Sequence, residues 1–164
     1  MAQFKVHNLI IVDASGSMTS IYEQALAGIN ETLSTIREEA KKSDKIKQSV
    51  TDLERNKGKE DKVLVTIITD GYENDSIEWD GASVKKLIDR LRKTGWVFTY
   101  IGANQDAALE AGKIGVKNSL TFEATIEGTV NMFAFEKQSR QRWNKRVRLN
   151  ENDIQNDYFF DDDK

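Results

Sequence analysis

Three oxygen-bearing side chains stand at alternate positions just after an apolar run near the start of the chain. Asp13, Ser15 and Ser17 follow residues 8–12, whose composition is typical of a buried strand. Open α/β sheets bind their ligands at the carboxyl ends of their strands. A carboxylate and two hydroxyls are also the hard oxygen ligands that Mg²⁺ prefers. The spacing therefore predicts a divalent-cation site immediately beyond the first strand.

A second carboxylate is expected from another strand end, because a single carboxylate holds such an ion poorly. Asp70 follows the β-branched run at residues 63–69, which is typical of a strand buried on both faces. Gly71 comes next and permits a sharp turn. Two strands that each end in an aspartate can bring both carboxylates together, so we expect Asp70 to complete the site begun at 13–17.

These two segments resemble the von Willebrand factor A domains, whose metal-ion-dependent adhesion site is D-x-S-x-S, a distant Thr and a distant Asp. The resemblance runs from about residue 6 to the long final helix. It implies that Asp13, Ser15, Ser17 and Asp70 hold Mg²⁺, or Mn²⁺ or Ca²⁺, and that an acidic side chain of a protein partner completes the coordination shell. It also implies a binding module without enzymatic activity.

The hydrophobic periodicity indicates a three-layer, Rossmann-like or A-domain α/β fold with a reduced, mainly parallel sheet of about four strands. We expect strands at residues 5–12, 63–69, 96–101 and 119–122, and helices that begin near residues 19, 44, 83, 107 and 123. Residues 1–149 are expected to form one domain. Residues 150–164 form an acidic tail, of which Ile154, Tyr158, Phe159 and Phe160 could dock on the domain.

The final helix carries both apolar and basic residues. Its predicted buried side consists of Ile126, Val130 and Phe133, with Trp143 and Val147 further along. The basic residues are interpreted as a solvated helix face beside the acidic tail; they are Lys137, Arg140, Arg142, Lys145, Arg146 and Arg148.

The middle of the chain departs from the A-domain pattern. Residues 37–61 contain no strand-like apolar run, so two strands of the family and the loop with the metal-site threonine are missing. Thr51 is expected in mid-helix and is not assigned that role. We therefore expect weaker metal binding, and a first strand that is left as an exposed edge. An exposed edge predicts a homodimer, either through strand one or by exchange of the first two helices.

Composition excludes several classes of function. The 164 residues fit one domain, and the absence of cysteine excludes disulfides and thiolate chemistry. His7, the single histidine, is expected at the start of a strand rather than in a catalytic site. A net charge of −3 does not favour nucleic acid as a partner, and no apolar stretch is long enough for a membrane span. We expect a cytoplasmic protein of bacterial type.

Two other functions compete with the adhesion-type module. Asp13 could be the nucleophile of a Mg²⁺-dependent phosphoryl-transfer enzyme, but Ser15 stands where the D-x-D-x-T pattern needs a second aspartate. The chain could instead be a reduced or engineered A-domain scaffold with impaired metal binding that self-associates. In the leading interpretation, the loops at 72–81 and 104–106 select the partner.

Overall fold

The sheet consists of parallel strands in sequential order. The computed structural model of the protein describes residues 4–12, 21–39, 54, 57–69, 81–104 and 106–159. In these ranges the strands are β1 (Val6–Val12), β2 (Lys62–Thr69), β3 (Trp96–Ala103) and β4 (Asn118–Phe122). The sheet order is β1-β2-β3-β4 and all three pairings are parallel. β1 is thus an edge of the described sheet, as the missing strands predict.

Four helices flank this sheet in the described ranges, which confirms the predicted three-layer α/β class. They are α1 (Tyr22–Glu39), α2 (Gly81–Arg92), α3 (Ala107–Lys113) and α4 (Ile126–Arg148). α2 ends before Gly95, whose φ of 85° is the left-handed conformation that glycine adopts most readily. The predicted helix near residue 44 lies almost wholly outside the described residues.

Side chains alternate between the two faces of the sheet and form separate cores. One core lies under α2 and α3 and includes Val63, Val65 and Trp96. The other face is covered by α1 and α4, where Ile68 and Ile101 pack with residues of both helices. The alternation of side chains along each strand explains this division. β3 is buried along its whole length, as expected for a strand inside a covered parallel sheet.

The connection from β1 to β2 crosses from one face of the sheet to the other. It begins with α1 on the α4 side, whereas Glu54 forms an ion pair with Arg90 of α2 on the opposite side. The two later crossovers step the same way along the sheet through helices on the α2 side. The Glu54–Arg90 ion pair places the end of the first connection on the same side of the sheet as α2 and α3.

α4 buries a different side from the predicted one at its start. Ile126 and Val130 are 63% and 57% exposed, so their predicted burial is wrong, while Phe133, Trp143 and Val147 are buried as expected. The buried positions of the helix are Thr129, Met132, Phe133, Glu136, Ser139, Arg140, Trp143, Asn144 and Val147. The helix therefore packs through a stripe that is polar in its centre.

The segment after α4 packs on the core. Ile154 and Tyr158 are 7% and 2% exposed and pack in a cluster with Trp143, with Phe159 partly buried against it. The Trp143 indole N–H donates to the Ile154 carbonyl at 2.9 Å. The docking predicted for these three aromatic and aliphatic side chains is confirmed, while Phe160 lies outside the described residues.

Candidate functional site

The carboxyl edge of the sheet is where the predicted site segments leave the strands. Val12 pairs with Ile68 in the β1–β2 ladder, and Thr69 pairs with Gly102 in the β2–β3 ladder. β1 and β2 are therefore neighbours that end at the same edge. Asp13 follows Val12 directly in the sequence, and Asp70 follows Thr69. Asp13, Ser15, Ser17 and Asp70 themselves lie outside the described residues, as does the loop at 72–80.

The described polar residues at this edge hold the backbone in place. Asn104 has a φ of 52°, and its side-chain oxygen accepts a hydrogen bond from the Ala124 N–H at 2.8 Å. Asp106 accepts from the Leu109 N–H at 3.0 Å and so caps α3. These contacts give the predicted rim loop at 104–106 a structural role.

The charged residues at the helix starts along this edge are acidic. Each helix that follows a strand begins at the carboxyl edge, and the first turns of α1, α3 and α4 carry Glu23, Glu110 and Glu127. Asp106 adds a fourth carboxylate at the cap of α3. Acidic residues at these positions complement the positive ends of the helix dipoles.

A groove of about 470 Å³ opens beside β4, at the same end of the sheet. It lies between β4 and the first half of α4, and its lining includes Leu120, Phe122, Met132 and Phe135. Its volume is within the range of about 300–1,000 Å³ that is typical of ligand pockets. Sequence reasoning missed this groove, because the apolar pattern of α4 predicted that its start would be buried.

A buried polar network links α4 to the middle of the sheet. Glu136 and Arg140 are 1% and 3% exposed, and their side chains form an ion pair at 2.6 Å. Arg140 also donates to the Thr66 hydroxyl at 3.1 Å and to the Asn8 side chain. The prediction of a solvated basic face is therefore wrong for Arg140. Phe133, Glu136 and Arg140 are three and four residues apart, so they lie on one face of α4. This spacing is the sequence signal that could have identified the buried Glu136–Arg140 pair.

Tyr158 brings the segment after α4 into the same network. Its hydroxyl donates to Glu136 Oε1 at 3.0 Å. Burial, together with the adjacent Glu136 carboxylate, raises the pKa of Tyr158 well above its usual value. Because these residues contact the centres of β1 and β2, they fix α4 on the sheet and do not belong to the carboxyl edge.

His7 lies at the second position of β1, as predicted, and contacts the loop at the amino edge of the sheet. Its Nε2 atom is 2.9 Å from Asp61 Oδ2. Asp61 also accepts from the backbone N–H groups of Lys5 at 2.8 Å and Gly58 at 2.9 Å. Burial raises the pKa of Asp61, but the hydrogen bonds from His7 and these amides outweigh it and lower the pKa to about 2. This arrangement closes the loop before β2.

Three further findings concern the described residues and the chain as a whole. Among the described residues there is no group of three or more His, Cys, Asp or Glu side chains that could hold a metal ion. Within the same ranges, no helix has the length and apolar character to cross a membrane. Comparisons with protein-family models, with curated proteins and with solved structures gave no match.

Proposed function

We propose that this chain is a metal-ion-dependent protein-binding module without enzymatic activity. In this proposal Asp13, Ser15, Ser17 and Asp70 hold Mg²⁺, or Mn²⁺ or Ca²⁺, beyond the carboxyl edge of β1 and β2. An acidic side chain of a protein partner completes the coordination of the ion.

The register of β1 and β2 is the observation that carries the proposal. The D-x-S-x-S segment begins one residue after Val12, and Asp70 comes one residue after Thr69. Neighbouring strands are about 4.8 Å apart, so the described ends of β1 and β2 lie side by side. Mg²⁺ binds oxygen ligands at about 2.0–2.1 Å and keeps several waters, so one ion can join carboxylates from two adjacent turns directly or through water.

The acidic residues at the carboxyl edge support the proposal that a bound cation attracts the partner. The described acidic residues Glu23, Asp106 and Glu127 would repel an approaching carboxylate. A divalent ion reverses the sign of the local field. Ser15 and Ser17 are neutral ligands, so an ion that they bind keeps its affinity for a further carboxylate.

One observation favours a second candidate, the reduced A-domain scaffold that self-associates. The described sheet ends at β1, on the side where the A-domain family has further strands and the threonine loop. In that case the fold persists and the metal site has lost too many ligands to function.

Retention on an immobilised aspartate-containing peptide separates these candidates. We expect retention of the chain in millimolar Mg²⁺ or Mn²⁺, release by chelator and loss of retention in Asp13→Ala. Glu110→Gln is the matched control, because it removes a carboxylate from the same edge but lies outside the loop at 104–106. Retention that does not depend on the metal, or no retention in any condition, would contradict the proposal of a metal-dependent binding module. Turnover of a generic phosphoester would instead support the enzyme.

A further inference from the structure

The outer edge of β1 has backbone groups that are available for another strand. The Lys62 N–H donates to the Lys5 carbonyl, so Lys5, His7, Leu9 and Ile11 direct their backbone groups towards β2. Backbone direction alternates along a strand. Val6, Asn8, Ile10 and Val12 therefore direct their N–H and C=O groups away from the sheet, and no described strand pairs with them.

An apolar stripe on α1 lies beside this edge. Gly28 and Glu31 face α4, where they contact Phe133 and Lys137. At 100° per residue, Tyr22 and Leu26 lie on the opposite side of α1, which is the side of the free β1 edge. Both side chains are exposed, Tyr22 by 54% and Leu26 by 41%.

The other face of the sheet adds a further apolar residue to this edge. Ile11 of β1 is 42% exposed. Its neighbours Ile10 and Val12 pack on the α1 side, so the side chain of Ile11 lies on the opposite face of the sheet. The free edge is therefore flanked by apolar surface on both faces. Long edge strands of this kind normally carry charges or bulges that prevent pairing, and the described β1 has neither within Val6–Val12.

We propose that the β1 edge binds a second copy of this chain, and that the two β1 strands pair in antiparallel orientation around a two-fold axis at Leu9. In this register Val6 faces Val12 of the other copy, and Asn8 faces Ile10. Each of the four outward residues then uses both its N–H and its C=O to bond to the other copy, which gives about eight backbone hydrogen bonds between the two strands. Moving the axis to Asn8 or Ile10 leaves part of the strand unpaired.

The positions of the helices fit the same axis. Ala25 and Ile29 of α1 share an apolar cluster with Ile10 and Val12 of β1 and with Ile68 of β2, and the proposal places α1 over these two strands. A two-fold axis normal to the sheet places both α1 helices on one face, about 10 Å apart for a strand spacing of about 4.8 Å. Packed helices are typically separated by 8–10 Å. The stripes of Tyr22 and Leu26 would therefore meet across the axis.

Charge favours the antiparallel orientation. Lys5 is exposed at the amino end of β1, whereas Glu23 is exposed at the start of α1, beside the carboxyl end of the strand. Antiparallel pairing brings these opposite charges together, while parallel pairing would bring like charges together. The surface is thus complementary to a second copy of itself, which identifies the occupant.

The mass of the chain in solution, measured by sedimentation, tests whether the dimer forms. We expect sedimentation of the unaltered chain to give twice the 18.6 kDa chain mass at high concentration. Leu26→Lys and Ile11→Lys should shift the mass to that of one chain. Leu109→Lys should leave it unchanged, because Leu109 is equally apolar and 59% exposed on α3, away from β1. A single-chain mass for the unaltered protein would overturn the proposal.

The register is tested separately, because the chain contains no cysteine. Leu9→Cys places two cysteines at the axis with α-carbons about 4.5 Å apart, within the range of a disulfide. Ile11→Cys places them about 14 Å apart, which is beyond that range. We expect oxidation to link Leu9→Cys into a covalent dimer and to leave Ile11→Cys unlinked. The reverse result would overturn this register even if the chain is a dimer.

Discussion

Replacing Arg140 by methionine tests whether the buried polar network holds α4 on the sheet. Arg140→Met keeps much of the apolar stem but removes the charge that faces Glu136, and it removes the donors to Asn8 and Thr66. The side chains of Arg140 and Glu136 are only 4% and 2% exposed. The Glu136 carboxylate would then be buried without its counter-charge.

The expected loss follows from this burial. Breaking a buried ion pair by removing one partner lowers the free energy of unfolding by about 3–5 kcal/mol. For a domain of this length, each kcal/mol shifts the melting temperature by roughly 2–4 °C, so we expect a decrease on the order of 10 °C. Neutralising both partners in Glu136→Gln/Arg140→Met should be less destabilising than the sum of the two single changes, with a coupling of about 0.5–3 kcal/mol.

Urea unfolding of the four proteins in this cycle measures both quantities. Lys145→Met is the control, because Lys145 is exposed on the same helix and its change should stay within about 0.5 kcal/mol. An Arg140→Met effect as small as that of Lys145→Met would refute the role given to the network. Additivity of the two single changes would refute the coupling between Glu136 and Arg140.

Two further predictions concern packing and pH. A β-carbon at Gly28 would overlap the Phe133 ring, so Gly28→Ala should destabilise the folded chain by about 1–3 kcal/mol. Gly112 has open space at its β-carbon, so Gly112→Ala should stabilise the folded chain by roughly 0.5–1 kcal/mol in the same urea assay. The pKa of Asp61 is about 2 in the folded chain against 3.8 ordinarily, so its contribution of about 2 kcal/mol is present above pH 3.8 and is lost as the pH falls through 2. Unfolding of Asp61→Asn, compared with the unaltered chain between pH 5 and pH 2, should lack this loss; a parallel pH dependence in the two proteins would contradict it.

The sequence predicts the strands well because their apolar runs are short and bounded by turn residues. The residues at 107–113 form α3 as expected, and β2 and β3 begin within one residue of their predicted starts. In a parallel sheet, burial on both faces leaves a continuous apolar run that is easy to recognise.

The buried side of α4 was predicted less well, for a physical reason. Hydrophobicity places Ile126 and Val130 inside and Arg140 outside, whereas the structure exposes the first two and buries Arg140. A charged residue can be buried only when a partner satisfies it, and Glu136 provides that partner. The composition of a single helix does not reveal contacts with Asn8 and Thr66, which lie far away in the sequence.

The strand ends of the candidate site follow the sequence prediction, while its ligand geometry stays a prediction. The parallel pairing of β1 and β2 was expected from two apolar runs that each precede an aspartate. How Ser15 and Ser17 meet an ion depends on the conformation of the turn, which residue types at alternate positions do not determine.

Thermal unfolding with and without a divalent ion tests the central claim most directly. A metal that binds only the folded chain at 100 times its dissociation constant adds about 2.7 kcal/mol, which corresponds to a rise in melting temperature of roughly 5–10 °C. We predict this rise with excess Mg²⁺ or Mn²⁺ over chelator for the unaltered chain and for Glu110→Gln, and its loss in Asp13→Ala. An unchanged melting temperature at millimolar metal, or an equal rise in Asp13→Ala, would contradict a metal site at the ends of β1 and β2.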